Sequence, residues 1–331
     1  MSQILPYLLN KSLVHGQRTR IFSTLDQMKL DSSPLRKTCC LAPTVLLKRR
    51  ALTPLLLLSL LLAAFAHAAA QSSRILSIAH RGASSVAPEN TIAAFRKALD
   101  LRADALECDI HQTKDGHLVI LHDDRVNRTT NGSGSVGEMS LEEIRRLDAG
   151  SWFNNGNAGE RIPTLEELIE LDSTVLLILE PKHGSDTYPG IEGRIVEAVR
   201  KHNAQTRTIL KSFDKDVLKK FQELAPEIPR LYVFVTHLSW LNMTIDRGIS
   251  FGNVFDLDVE WLQVWRPLAG RSLIEKAHAH GKKVIVWGVH EKEDIEEAIR
   301  IGADGLESDY PDRVYEALRR ASKIPARRKD E

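Results

Sequence analysis

The feature that most constrains the fold is a repeated alternation of short apolar runs and amphipathic helical patterns from residue 75 onward. The apolar runs are typical of buried strands and cover residues 75–79, 105–110, 175–179, 208–212, 230–235, 254–259, 283–287 and 304–307. Helical patterns follow most of them, over residues 88–101, 191–201, 215–224, 271–280, 292–301 and 312–321. Strands separated by helices form parallel sheets, and eight such units close into a barrel. We therefore predict an α/β fold of the (β/α)8 TIM barrel class. An open doubly wound sheet is the rival, but no Gly-rich phosphate loop accompanies it here.

One interval breaks the regular spacing of this pattern. Roughly sixty residues separate the second strand from the third, although a loop–helix–loop connection needs only ~20–25. Residues 113–116 read as a tight turn, and residues 118–121 then extend the strand or return along it. Ser140 and Thr164 each begin a capping box and predict two short helices. We predict that residues 124–162 form a small inserted lobe over the carboxyl ends of the strands.

The first 70 residues differ in composition from the rest and predict a leader. A basic flank at Lys48-Arg49-Arg50 precedes an apolar stretch at 55–65 and an alanine-rich end at 66–70. This pattern is typical of a secretory signal peptide cleaved near Ala70, although an uncleaved membrane anchor is the alternative. The apolar stretch is short for a transmembrane helix, which needs about 20 residues. We expect a secreted or periplasmic protein without a stable membrane span. Met28 is an alternative start.

The remaining residues, 71–331, have the length of one barrel domain. The whole chain has 45 Lys/Arg and 44 Asp/Glu, and residues 1–70 hold nine and two of these, so 36 basic and 42 acidic residues remain. This mildly acidic balance argues against nucleic acid as a partner. Cys108 is the one cysteine after the leader. It lies between acidic residues on a predicted strand, and we interpret it as a buried, unreactive thiol. The sequence predicts nothing about the oligomeric state.

Four short polar motifs follow or end predicted strands. They are His80-Arg81-Gly82, Glu107-Cys108-Asp109, His122-Asp123 and Glu180-Pro181-Lys182. Side chains at the carboxyl ends of parallel barrel strands converge on one face, where barrel active sites lie. We therefore expect these motifs to form one site.

The residue types in these motifs indicate a particular chemistry. Glu107 and Asp109 are two positions apart on a strand and share a face, where two negative charges need a cation nearby. Carboxylates suit a hard cation such as Ca²⁺ or Mg²⁺. Two histidines suit proton transfer at both ends of a breaking bond, and Arg and Lys suit phosphate oxygens. The set predicts metal-assisted phosphodiester cleavage.

Seven segments in barrel order resemble the glycerophosphodiester phosphodiesterase family, from residue 75 to about residue 318. They are AHRGASSVAPENTIAAF, ALECDIHQTKDGHLVILHDDRVNRTTNGSG, LDAGSWF, RIPTLEEL, LILEPK, VIVWGV and GADGLESDYPD. The resemblance implies a (β/α)8 barrel that hydrolyses glycerophosphodiesters to sn-glycerol 3-phosphate and an alcohol. Gly288, His290 and the Glu307-Ser308 pair depart from the usual family pattern, which affects the expected shape of the glycerol or alcohol pocket.

The resemblance also implies a role for each candidate residue. The metal ligands would be Glu107, Asp109 and Glu180, and the catalytic histidines His80 and His122. Arg81 and Lys182 would hold the phosphate, and Glu89 and Asn90 would border the site. Apart from the resemblance, Trp287 at the end of the seventh predicted strand is a candidate for stacking on the glycerol backbone, with core packing as the alternative. We assign the base to His80 and the acid to His122. Either water or the neighbouring glycerol hydroxyl could attack the phosphorus first.

We predict a glycerophosphodiester phosphodiesterase with one divalent cation and a small-molecule substrate. Ca²⁺ is favoured because Ca²⁺ is more available outside the cytoplasm, and Mg²⁺ is the alternative. One rival is a phospholipase D-type or phosphoinositide-type enzyme that acts on intact lipid at a membrane. Trp240, Trp261 and Trp265 are the residues that keep this alternative open, because exposed tryptophans can contact a membrane surface. A catalytically inactive binding domain is the remote alternative. The identity of the alcohol is left open.

Overall fold

The computed structural model describes residues 74–238, 243–245 and 249–321, and the predicted leader lies outside them. The twelve strands described are β1 Leu76–His80, β2 Ala105–Gln112, β3 Leu118–Ile120, β4 Leu176–Pro181, β5 Thr208–Ser212, β6 Arg230–Phe234, β7 Thr236–Leu238, β8 Met243–Ile245, β9 Ile249–Phe251, β10 Trp261–Trp265, β11 Lys283–Trp287 and β12 Gly305–Ser308. The α-helices described are α1 Ile92–Asp100, α2 Leu141–Arg145, α3 Leu165–Leu171, α4 Ile191–Lys201, α5 Lys215–Leu224, α6 Arg271–Ala279, α7 Lys292–Ile301 and α8 Pro311–Arg320. None of these described helices is long and apolar enough to cross a bilayer.

Eight of these strands close into a parallel barrel, which confirms the predicted (β/α)8 fold. Their order around the barrel is β1, β12, β11, β10, β6, β5, β4 and β2, and β2 pairs with β1 to complete the circle. Every pairing between these neighbours is parallel. The pairing of β12 with β1 therefore brings the end of the domain beside its beginning.

An apolar plug fills the lower interior of the barrel. It consists of the buried side chains of Ile78, Ala105, Ile178, Ile209, Leu231, Val233, Trp261 and Ile285. A second apolar layer lies between the strands and the surrounding helices, and Cys108 is buried there as a free thiol, as predicted. The plug matters for function because the next inward-facing residue on each strand lies directly above it.

The interval after β2 forms the predicted lobe. Strand β3 returns antiparallel to β2, with Ile110 opposite Ile120, which decides between the two alternatives left open for this segment. The lobe has its own small core of Val119, Leu121, Val126, Val136, Ile144, Ala149 and Ile162. Capping boxes at Ser140 and Thr164 begin α2 and α3, as predicted.

The prediction of the sixth barrel strand was wrong. Residues 254–259 were expected to form it, but Val254–Asp256 is a 3₁₀ turn and the strand is β10, Trp261–Trp265. The apolar residues of this turn pack outside the barrel, against the helices. They are apolar because they are buried there, and this burial was mistaken for a strand. Gln263, buried at the centre of β10, obscured the real strand in the sequence.

One other local prediction, the start of the first helix, differs from the structure, and one segment had no predicted element. Helix α1 begins at Ile92 and not at residue 88, because Thr91 caps it by accepting a hydrogen bond from the Ala94 N–H at 3.2 Å. Asn90, just before the cap, has a φ of 58° and is therefore outside the helix. The segment after β6, which had no clear pattern, contains the small antiparallel sheet of β7, β8 and β9.

Candidate active site

Strand alternation places the functional side chains inside the barrel, one layer above the apolar plug. His80 lies two residues beyond Ile78 on β1, and Glu107 two beyond Ala105 on β2. Glu180 stands in the same relation to Ile178 on β4. Because side chains two apart on a strand share a face, these polar groups point to the carboxyl end of the barrel interior. The predicted motifs therefore meet at one site.

Three buried carboxylates form the centre of this site. Glu107, Asp109 and Glu180 are each at most 3% exposed, and one ligand atom from each lies within 4.8 Å of the others. Cationic side chains surround them: Lys182 Nζ lies 3.1 Å from Asp109 Oδ1 and 3.0 Å from Glu180 Oε1. Arg81 Nε lies 3.0 Å from Asp109 Oδ2. The carboxylates are thus clustered and charge-compensated.

This carboxylate set fits a divalent metal ion. All three groups offer oxygen atoms, which hard cations prefer, and one oxygen atom of each lies within 4.8 Å of the others. Burial and the neighbouring Asp109 outweigh the effect of Lys211 and raise the pKa of Glu107 to about 7. Asp109 has a pKa well below its usual range, because Lys182 and Arg81 outweigh its burial. The geometry supports the predicted ligand set, with the two acidic residues of β2 beside the one at the end of β4.

A tight turn after β1 brings Arg81 to the carboxylates. Arg81 and Gly82 both have positive φ, 58° and 81°. A Cβ on Gly82 would lie 2.7 Å from the backbone of Ala94, so only glycine fits there. The turn directs the Arg81 N–H to Glu107 Oε2 at 3.2 Å, while its guanidinium reaches both Asp109 and Glu89. Backbone and side chain of one residue therefore bind the acidic cluster.

The two residues predicted to border the site both contact it. Asn90 donates a hydrogen bond from Nδ2 to Asp109 Oδ2 at 2.9 Å. Glu89 accepts one from Arg81 Nη1 at 2.9 Å. Glu89 therefore holds the guanidinium of Arg81 in place.

His80 is paired with a carboxylate that the sequence did not indicate. Its Nδ1 lies 2.7 Å from Asp309 Oδ1, just after β12, which leaves Nε2 for chemistry. Burial and Arg81 lower the pKa of His80, but the hydrogen bond to Asp309 and the charges of Glu107 and Asp309 outweigh them and raise it. His80 is therefore the more easily protonated of the two histidines.

His122 is also paired with an aspartate, but its surroundings shift its pKa in the opposite direction from that of His80. Its Nδ1 lies 2.7 Å from Asp123 Oδ1. Burial, together with Lys182 and Arg81, outweighs Asp109 and Asp123 and lowers the pKa of His122. His111 fixes the backbone beneath it, with Nε2 3.2 Å from the His122 carbonyl oxygen.

Arg128 of the lobe joins the two halves of the site and was also missed. Its guanidinium donates to both carboxylate oxygens of Glu89, at 2.8 Å each, and to Asp123 at 2.8 and 3.1 Å. Glu89 holds Arg81, and Asp123 holds His122. Arg128 therefore connects the lobe, through Glu89 and Asp123, to Arg81 and to His122.

Trp287 ends β11 at the same face of the barrel. Its ring lies 6.2 Å from that of Trp265, centroid to centroid, and its strand neighbour on β12 is Glu307. The indole N–H is buried without a hydrogen-bond partner among the described residues. The structure thus places Trp287 at the rim of the site, while Trp261 is buried in the plug and Trp240 lies outside the described residues.

Sequence reasoning missed three charged residues of this site, Arg128, Lys211 and Asp309, and it gave no role to Asp123 of the His122-Asp123 motif. Lys211 had a visible signal, since it is a lysine that directly follows two apolar residues near the carboxyl end of β5. Asp309 had a weaker one, since it follows a barrel strand directly. Arg128 had none, because its partners are set by how the lobe folds.

Comparison with known proteins agrees with this geometry. Residues 80–313 match the Glycerophosphoryl diester phosphodiesterase family. A glycerophosphodiester phosphodiesterase of Caldanaerobacter subterraneus subsp. tengcongensis is 40% identical over 252 residues, which are 75% of this chain and 99% of that protein.

Two solved structures share the fold. A phosphodiesterase of Oleispira antarctica in complex with the product sn-glycerol-3-phosphate has a TM-score of 0.66 and 31% identity, over 73% of this chain and 96% of that one. A protein described as a putative glycerophosphoryl diester phosphodiesterase of Silicibacter pomeroyi has a TM-score of 0.67 and 27% identity, over 76% and 95%. Since the family match spans more than half of the chain and the barrel agrees, this chain belongs to the glycerophosphoryl diester phosphodiesterase family.

Proposed function

We propose that this protein hydrolyses glycerophosphodiesters to sn-glycerol 3-phosphate and an alcohol. The observation that carries the proposal is the convergence of three buried carboxylates, two carboxylate-paired histidines and the cationic side chains of Arg81 and Lys182 at the carboxyl face of the barrel. The Oleispira antarctica relative, whose structure holds sn-glycerol-3-phosphate, supports the same product for this chain.

The residues divide the chemistry among them. Glu107, Asp109 and Glu180 would hold the divalent cation, which supplies a Lewis acid for a phosphate oxygen. Arg81 and Lys182, only 18% and 12% exposed, provide fixed positive charge where negative charge builds up in the transition state. Ca²⁺ is the cation we favour, and Mg²⁺ is the alternative to compare in titrations.

His80 and His122 form the acid–base pair, and their surroundings suggest how the roles are divided. The sequence assignment made His80 the base. The charges around the two rings favour the reverse, because the raised pKa of His80 keeps a proton to donate and the lowered pKa of His122 leaves a lone pair to accept one. We adopt the reverse: His122 takes the proton of the nucleophile and His80 protonates the leaving alkoxide.

A substrate panel tests the proposed reaction. The purified protein is incubated with glycerophosphodiesters carrying choline, ethanolamine, inositol or glycerol, and sn-glycerol 3-phosphate is measured by a coupled assay. Intact phospholipid and phosphoinositide in vesicles form the second arm. Release of sn-glycerol 3-phosphate from the panel is the expected result, whereas cleavage of the intact lipids alone would support the rival lipid-cleaving activity.

Substitution of Arg128 is expected to impair catalysis through two neighbours. Arg128→Ala removes the bridge between Glu89 and Asp123, so both Arg81 and His122 lose a fixed orientation. We expect kcat/KM to fall about 10–100-fold, the range typical of residues that orient a catalytic centre. Arg146→Ala is the matched control, because Arg146 is an exposed lobe arginine that pairs with Glu142 on its own helix. Equal, small effects of both substitutions would contradict the bridging role.

We also propose that the chain is exported and cleaved near Ala70. The support is the basic flank, the apolar stretch and the small residues in that order. N-terminal sequencing of the exported protein should give a start near Gln71. A mature protein that retains residues 55–65 would instead favour a membrane anchor.

A further inference from the structure

A buried lysine lies inside the acidic centre. Lys211 is on β5, two residues above Ile209 of the plug, and is 3% exposed. Its Nζ lies 2.7 Å from Glu107 Oε1 and 3.2 Å from Glu180 Oε2. It therefore contacts two of the three carboxylates that would hold the metal ion. These contacts outweigh burial and raise the pKa of Lys211 well above its ordinary value, so the group is an ammonium.

Glu107 and Glu180 are each contacted at both carboxylate oxygens, at one by Lys211 and at the other by a second donor. Glu107 accepts from Lys211 at Oε1 and from the Arg81 N–H at Oε2. Glu180 faces Lys211 with Oε2 and Lys182 with Oε1. A carboxylate contacted at both oxygens has its plane and its rotamer restricted. The two glutamates are thus oriented before any metal ion arrives.

A fourth carboxylate balances the charge of this lysine. Glu307, on β12, is 2% exposed, and its oxygens lie 3.4 and 3.5 Å from Lys211 Nζ. A buried ammonium group is costly unless a negative charge lies beside it. Because Glu307 is not one of the proposed metal ligands, it can balance the charge of Lys211, and the negative charges of Glu107 and Glu180 then remain for a metal ion.

We propose that Lys211 is a positioning residue for the metal centre, and that Glu307 is the carboxylate that balances its charge. This inference rests on the proposed function, since it assigns a role toward the cation of that same site. Outer groups that hydrogen-bond metal ligands orient them, and their loss typically weakens metal binding 10–100-fold. Lys211 would act in this way by fixing Glu107 and Glu180.

The test uses a pair of substitutions that removes both charges together. The double variant Lys211→Met with Glu307→Leu keeps side-chain volume and leaves the local net charge unchanged. Replacement of a buried ion pair by apolar residues is often neutral for stability. We therefore expect a Tm in EDTA close to that of the wild-type protein. Binding of Mg²⁺ and of Ca²⁺, measured by isothermal titration calorimetry, should weaken about 10–100-fold.

The controls separate positioning from simple repulsion. If the double variant binds the cations as tightly as the wild type or more tightly, Lys211 only opposes the metal ion and the inference is overturned. Lys211→Met alone should lower the Tm in EDTA, because Glu307 then lacks its partner. The variant Lys211→Gln with Glu307→Gln keeps polar groups and replaces the apolar pair if that pair does not fold. Its affinity should still fall, but by less, because the shorter glutamine amide can donate in place of only part of the contacts of the ammonium with Glu107 and Glu180. A wild-type protein that binds neither cation would refute the proposed metal centre itself.

Discussion

Replacement of either catalytic histidine by alanine is expected to lower kcat about 10²–10⁴-fold, the range typical of general acid–base groups. The Tm of each variant should stay close to the wild-type value, because His80 is the last residue of β1 and His122 lies two residues beyond β3, and their side chains are 25% and 31% exposed. The double variant should be far less impaired than the product of the single effects, because residues that act as a unit fail together. Fully multiplicative losses would contradict a shared step.

A good leaving group separates the two roles. A nitrophenyl phosphodiester needs little protonation of the departing oxygen, so it should restore activity to His80→Ala much more than to His122→Ala. Rescue of His122→Ala alone would reverse the assignment and restore the one made from the sequence. Equal rescue of both variants would mean that neither histidine acts specifically as the acid.

The pH profile of kcat/KM provides an independent readout of the same pair. The base must be unprotonated, so activity should fall as the pH drops through the lowered pKa of His122. The acid must be protonated, so activity should fall as the pH rises through the raised pKa of His80. The alkaline limb is expected to disappear in His80→Ala and the acidic limb in His122→Ala.

Removal of the metal ion is expected to have the second large effect. Loss of a Lewis acid that contributes several kcal/mol corresponds to about 10³-fold or more in kcat. Exhaustive treatment with EDTA should cause this loss, and added Ca²⁺ or Mg²⁺ should reverse it. Asp109→Asn should reproduce it irreversibly, because Asp109 is 1% exposed and its charge meets both Arg81 and Lys182.

Two further measurements accompany the metal experiment. Asp100→Asn is the control, since Asp100 is an exposed acidic residue at the end of α1 and should leave cation binding and turnover unchanged. Calorimetry should find no cation binding by Asp109→Asn. Full activity after exhaustive chelation would show that Glu107, Asp109 and Glu180 do not form a required metal site.

The pattern of residues along each strand determined the layers of the barrel and most of the site. A charged residue directly after an apolar strand, such as Glu180 after residues 175–179, indicates a functional site, because barrel active sites lie at the carboxyl ends of the strands. The same local logic located Glu107, Asp109 and the Ser140 and Thr164 capping boxes. These features depend on neighbours a few residues away, so the sequence displays them directly.

Only the tertiary structure decided which distant residues meet. His80 pairs with Asp309 across 229 positions, and Lys211 with Glu107 across 104. Closure of the barrel by β12 and β1 creates the first contact, and the inward direction of β5 creates the second. A sequence pattern can show that a residue is buried, but it does not show which distant strand lies next to that residue. For this reason the three carboxylates that we propose as metal ligands could be selected from the chain alone, whereas the charged groups around them emerged only when the barrel closed.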